Sequence, residues 1–162
     1  MKRQDKINYY LDIAQTVAER CTCLRRSFGA IIVKNDSIIS TGYVGAPRGR
    51  KNCSDLGYCM RKSLEIPHGE RYELCRSVHA EANAIIAAGR EQMIGSTLYL
   101  VGLDPVSKKL VPGTNSCAMC KRLIINAGIT TVIIRDTAEE FRVVNVNNWI
   151  EEDDSLTGES GY

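Results

Sequence analysis

Two short stretches far apart in the chain constrain its fold more than anything else: Val78-His79-Ala80-Glu81 and Ser116-Cys117-Ala118-Met119-Cys120. Together they carry an imidazole, two thiols and a carboxylate. Cys117 and Cys120 lie three residues apart, so on a helix their sulfurs face the same way. At a helix N-terminus the dipole and the free N–H groups favour the thiolates. An imidazole and two thiolates make a metal site only if the two stretches meet, and the rest of the chain reads as scaffold and substrate loops around that meeting.

The donor set His79, Cys117 and Cys120 suits tetrahedral zinc, with the fourth position left for water as in catalytic rather than structural sites. Bound zinc makes such water acidic near neutral pH. Glu81 stands two residues from His79 and is the spare carboxylate. It can take a proton from the water, pass it to a ring nitrogen and later protonate a departing amine. The ordered set, His-x-Glu and then Cys-x-x-Cys, is the signature of zinc-dependent hydrolytic deamination. A structural zinc site is the competing explanation, but it would have no use for an unliganded carboxylate.

Along the chain, Ile7, Tyr10, Leu11, Ala14, Val17 and Ala18 recur at helical intervals behind Asp5, a suitable N-cap, which predicts an amphipathic helix ending near Cys21. Ala30-Ile31-Ile32-Val33 reads as a buried strand and Ile38-Ile39-Ser40-Thr41 as its hairpin partner across the turn 34–37. From Gly42 to Arg76 the periodicity dissolves, leaving a structureless loop of the length that is normally functional or pinned. A helix over His79–Ala88 closed by Gly89, a strand over Thr97–Val101, a helix over Cys117–Ala127 closed by Gly128 and a strand over Thr131–Ile134 follow. Arg142–Val146 is a further strand, and Trp149 packs on the domain. This alternation indicates an α/β sandwich.

At 162 residues the chain is expected to form one domain, over 1–150, with an acidic tail at 151–162 read as solvated and disordered. A net charge of +2 leaves no broad footprint for duplex nucleic acid, and no apolar run could span a bilayer. Seven cysteines at such spacings point to metal or catalysis in a reducing compartment, hence the cytoplasm.

Beyond the metal motifs, the chain carries Cys23-Leu24-Arg25-Arg26-Ser27-Phe28-Gly29-Ala30-Ile31-Ile32-Val33, Gly42-Tyr43-Val44-Gly45-Ala46-Pro47-Arg48-Gly49, His79-Ala80-Glu81-Ala82-Asn83-Ala84-Ile85, Thr97-Leu98-Tyr99 and Ala127-Gly128-Ile129. With them the chain, from Ile7 to Arg135, resembles the zinc-dependent cytidine and deoxycytidylate deaminases, in particular the deoxycytidylate (dCMP) branch. The resemblance implies a three-layer αβα sandwich with a mixed sheet of about five strands. It implies zinc on His79, Cys117 and Cys120, with Glu81 as general acid/base. The reaction it implies is dCMP plus water giving dUMP plus ammonia, in a homo-oligomer. Substrate contacts are expected from Val44, Gly45, Ala46, Arg48 and Ala80.

Two positions depart from the family pattern. Ser116 stands where Pro is usual, and as an N-cap it preserves the helix start. Val44 stands where Asn is usual beside the sugar, which opens the alternative of a free nucleoside or base (cytidine, deoxycytidine or guanine) as substrate. A nucleic-acid editor and a non-catalytic zinc module are more remote, the first because aromatics are 6%. The loop from Gly102 to Ser116 is longer than the usual link. Cys23 and Cys53 match positions that hold a second, structural zinc in some members, with Cys59, His68 and Cys75 available to complete it. Arg25, Arg26, Arg48, Arg50 and Lys51 are the candidates for a 5′-phosphate, Arg48 first among them.

Overall fold

The first helix begins where the sequence indicates. In this computed structural model, which describes residues 1–153 and 156, α1 (Lys6–Ala18) starts with the Asp5 carboxylate accepting from Asn8 N at 2.9 Å. Its apolar stripe, Tyr10, Leu11, Ala14 and Ala18, is buried. After it, β1 (Ser27–Lys34) and β2 (Ser37–Tyr43) form the expected antiparallel hairpin. Asn35 and Asp36 turn it at φ of 50° and 58°, the left-handed pair that matches the twist of a two-residue hairpin.

The stretch from Gly42 to Arg76 is not structureless, as the sequence suggested. It contains two one-turn helices, α2 (Cys53–Leu56) and α3 (Met60–Ser63), and a 3₁₀ turn at Tyr72–Leu74. One turn is too short to show a hydrophobic period, which is why the pattern hides them. α4 (Ala80–Ile86) ends before Gly89. Gly89 has an ordinary φ of −79° and begins α5 (Arg90–Met93) instead of closing α4. Gly128, at φ +82°, does close α6 (Ala118–Ala127) in the left-handed conformation that glycine allows.

β3 (Thr97–Leu103), β4 (Thr131–Arg135) and β5 (Phe141–Asn145) complete a sheet of order β2-β1-β3-β4-β5. β3 and β4 are parallel, joined through α6, and the other pairs are antiparallel. The alternation of the strands sorts side chains between two cores. Ile31, Val33, Tyr99, Val101 and Ile133 face α1. Ala30, Ile32, Leu98, Leu100, Val132 and Ile134 face the opposite layer, with Ala80 and Ala84 of α4 and Ile124 of α6. The result is the three-layer αβα sandwich.

The last helix, α7 (Val146–Glu151), starts at the residue with which the expected strand would end, and Trp149 packs onto the α4–α6 core. Of the acidic tail, Glu151 closes α7, Glu152 caps it, and 154, 155 and 157–162 lie outside the described residues. Among the described residues no helix is long and apolar enough to cross a membrane.

Candidate active site

α4 sits directly on β2 because Gly42 has no side chain. A Cβ there would fall on Ala80 O and Ala84 N, far inside contact distance. Polar ties then fix the helix in register: Ser40 Oγ donates to Ala84 O at 2.7 Å, and Asn83 Nδ2 donates to Tyr43 O at 2.8 Å and Val78 O at 3.3 Å. Val78 and Gly45 exchange both backbone hydrogen bonds in an isolated antiparallel bridge. His79 follows that bridge in extended conformation as the N-cap of α4, one position outside the first turn. Ala80 and Glu81 open the helix.

Cys117 is likewise the extended N-cap of its helix, α6, with Cys120 in the first turn, so the cap is Cys117 and not Ser116. The two helix starts meet. His79 Nδ1 lies 3.5 Å from Cys117 Sγ and 3.4 Å from Cys120 Sγ. Tetrahedral zinc with ordinary Zn–N and Zn–S bonds separates such donors by about 3.6 Å, so the spacing fits. Among the described residues this is the one group that brings three donor atoms within 4.8 Å of one another.

The three donors do not share one protonation state. Cys117 is drawn down to about 4 because it accepts from the Cys120 thiol, with the His79 imidazole and the Cys120 N–H adding to the effect against burial. Cys120 is pushed up by the Cys117 sulfur, by burial and by the Glu81 charge. Burial pulls His79 down, but hydrogen bonds to Cys117 and Cys75 and the Glu81 charge outweigh it and hold it up at about 10. Glu81 is 4% exposed, and burial raises its carboxyl above the usual range. Its Oε1 accepts from Ser116 Oγ at 2.8 Å.

The family described as "Cytidine and deoxycytidylate deaminase zinc-binding region" matches residues 4–135, most of the chain. The chain belongs to this deaminase family. It is 38% identical to the deoxycytidylate deaminase of Mycobacterium phage D29, over 82% of this chain and 96% of that protein. It is 32% identical to the deoxycytidylate deaminase of Schizosaccharomyces pombe over 78% of this chain, which spans about a third (35%) of that longer protein. Among solved structures, the apo dCMP deaminase of cyanophage S-TIM5 superposes at a TM-score of 0.58 with 25% identity, covering 85% of this chain and 88% of that one.

In this deaminase a cavity of about 580 Å³ opens onto His79, Glu81 and Cys117. Of the substrate residues expected from sequence, Val44 lines it, whereas Gly45, Ala46, Arg48 and Ala80 do not. Arg48, Arg50 and Lys51 are exposed away from the cavity wall, and Arg25 and Arg26 are on it. Cys23, Cys59, His68 and Cys75 also line the cavity, while Cys53 is buried with its sulfur 3.8 Å from Ser77 Oγ. These five make no three-donor set of their own among the described residues.

Arg61, Lys62, Tyr72 and Asn115 reach the wall without any sequence signal that singled them out. Arg61 is 5% exposed, donates to Pro67 O and Glu70 O, and stacks 4.3 Å from the Tyr72 ring centre. Tyr72 in turn meets the His79 ring edge-on at 5.0 Å. The loop of 57–72 therefore props the imidazole from outside. Only the length of the stretch from Gly42 to Arg76 hinted at a pinned loop.

Proposed function

We propose that the chain deaminates dCMP to dUMP, and the observation that carries the choice of a nucleotide is the cationic wall of the cavity. Arg25, Arg26, Arg61 and Lys62 line it with His68, and Glu81 at its floor is its one carboxylate. Arg61 is committed to backbone carbonyls, leaving Arg25, Arg26 and Lys62 for an anion. Arg25 Nη1 is buried without a hydrogen-bond partner, an arrangement a 5′-phosphate would satisfy. Burial lowers His68, followed by the charges of Arg25, Arg26 and Arg61, so those three guanidinium groups are close enough to act together. The D29 relative, alike over nearly its whole length, supports the same substrate.

His79, Cys117 and Cys120 would hold the zinc, which when bound would supply Lewis-acid activation of water. Glu81 takes a proton from the attacking water and delivers it to the pyrimidine N3. A C–O bond forms at C4, Glu81 then takes the remaining hydroxyl proton of that adduct and passes it to the amine, and the C4–N bond breaks as the C4 carbonyl forms and ammonia leaves. A raised carboxyl suits both halves of that task at neutral pH. One zinc per chain is the stoichiometry the donor geometry supports, and two equivalents in protein purified without chelator would overturn it. The work is assigned to a single cytoplasmic domain over 1–150, in a homo-oligomer as the resemblance implies. The seven cysteines, all unbridged, support the reducing compartment. A solution mass of one 18.0 kDa chain would remove the oligomer.

The test is ammonia release from dCMP, CMP, deoxycytidine, cytidine and guanine. dCMP should be the best substrate. Glu81→Ala should retain zinc and lose at least about 100-fold in kcat. Arg25→Ala should raise KM for dCMP and leave that for deoxycytidine unchanged. Preference for deoxycytidine would favour the nucleoside alternative that Val44 opened.

A further inference from the structure

A proline before the first motif cysteine has neither hydroxyl nor N–H, but Ser116 has both and uses both. Its hydroxyl donates to Glu81 Oε1 at 2.8 Å, and its N–H donates to Asn115 Oδ1 at 2.9 Å. Ser116 is fully buried, so water does not compete for that hydroxyl. A carboxylate on a flexible side chain can rotate and present either oxygen. Here Oε1 is held by a buried donor, which restrains that rotation.

The position of Ser116 is itself set from the far edge of the sheet. Asp136, just after β4, and Arg142, on β5, pair through Nε–Oδ2 at 2.7 Å and Nη2–Oδ1 at 3.1 Å. The pair grips the main chain of the loop leading into α6. Gly113 N donates to Asp136 Oδ1 at 2.9 Å, and Arg142 Nη2 donates to Thr114 O. Thr114 is buried, donates to Val111 O at 2.7 Å and packs on Gly102, where any Cβ would meet its hydroxyl. The loop is thus tied at 111, 113 and 114, and Ser116 begins two residues beyond the last tie.

We propose that Ser116 is a positioning residue for the Glu81 proton shuttle, and that the Asp136–Arg142 pair acts through it by pinning the Gly113–Thr114 backbone. The proposal rests on the assignment of Glu81 made under the proposed function. Ser116→Ala should lower kcat about 10-fold with KM for dCMP unchanged, because the carboxylate loses its orientation and the pocket does not. Ser116→Thr, which restores a hydroxyl, should recover most of the loss. Arg142→Met should also lower kcat, and combined with Ser116→Ala it should add no more than about two-fold, since both act on one contact.

Kinetics with zinc content measured on each variant decide the matter. Asp136→Asn replaces Arg142→Met if that variant fails to fold. Full kcat in Ser116→Ala, beside an inactive Glu81→Ala, overturns this inference alone. Independent, multiplying losses in the double variant remove the role of the pair. An active Glu81→Ala would instead remove the shuttle on which the inference stands.

Discussion

Gly42 decides where Glu81 can stand. The helix that carries the carboxylate lies on β2 with its backbone against a residue that has no side chain, so its first turn and the sheet are as close as two backbones can be. Gly42→Ala inserts a methyl group where Ala80 O and Ala84 N already are. Overpacking of this kind costs about 1–3 kcal/mol. The variant should melt lower and also lose zinc, because His79 moves with the helix. A lowered melting temperature with full zinc would mean that His79 keeps its place beside Cys117 and Cys120 while the helix behind it adjusts. At this scale the sequence was most legible for the donors and least legible for Ser116. A serine before a helix reads as a cap, but its partner Glu81 lies 35 residues away and across two elements, a relation no local pattern contains.

Both motif helices present a donor at the N-cap and another functional group in the first turn, which gathers four polar side chains at two helix starts. Their protonation makes a prediction about metal uptake. At pH 7 Cys117, drawn down to about 4, is already a thiolate, whereas His79, held up at about 10, and Cys120, pushed up, carry protons. Zinc needs neutral imidazole and two thiolates, so binding should expel about two protons per site, and affinity should fall as the pH is lowered. Calorimetric titration of chelator-stripped protein in buffers of different ionisation enthalpy measures that number. A release near zero would mean that the three donors are preset in the ligating state. The helices themselves were readable because their apolar stripes repeat. Gly89 misled because a glycine after a helical run can either close that helix or open the next, and only φ distinguishes the two.

The molecule as a whole couples its two cores through one sheet, and α1 is held to that sheet by more than its apolar stripe. Arg135, at the end of β4, is 2% exposed and reaches up to α1. It donates to Asp12 Oδ1 at 2.6 Å, to Gln15 Oε1 at 3.0 Å and to Asn8 Oδ1 at 2.9 Å. These residues lie one helical turn apart, so the guanidinium clamps a full face of α1 from a strand more than a hundred residues distant. The sequence showed α1 and β4 as elements but not this clamp, just as it showed the metal donors but not the cavity wall contributed by the loop of 57–72. Long-range polar contacts leave no periodicity behind. Burial pushes the Asp12 carboxyl up, but hydrogen bonds from Gln4 and Arg135 and the charge of Arg135 outweigh it, and its pKa in the folded chain lies below the usual 3.8. A carboxylate depressed in this way stabilises the fold fully above its unfolded value, and that contribution is lost as the pH falls through the folded value. Asp12→Asn should therefore cost about 1 kcal/mol at pH 7, the scale of an ion pair with one exposed partner. The difference in melting temperature between the native chain and Asp12→Asn should shrink on acidification below about pH 4. Melting curves of the two proteins between neutral and acid pH read it directly, and a gap that stays constant would show that the charge of Asp12 is not what the substitution removes.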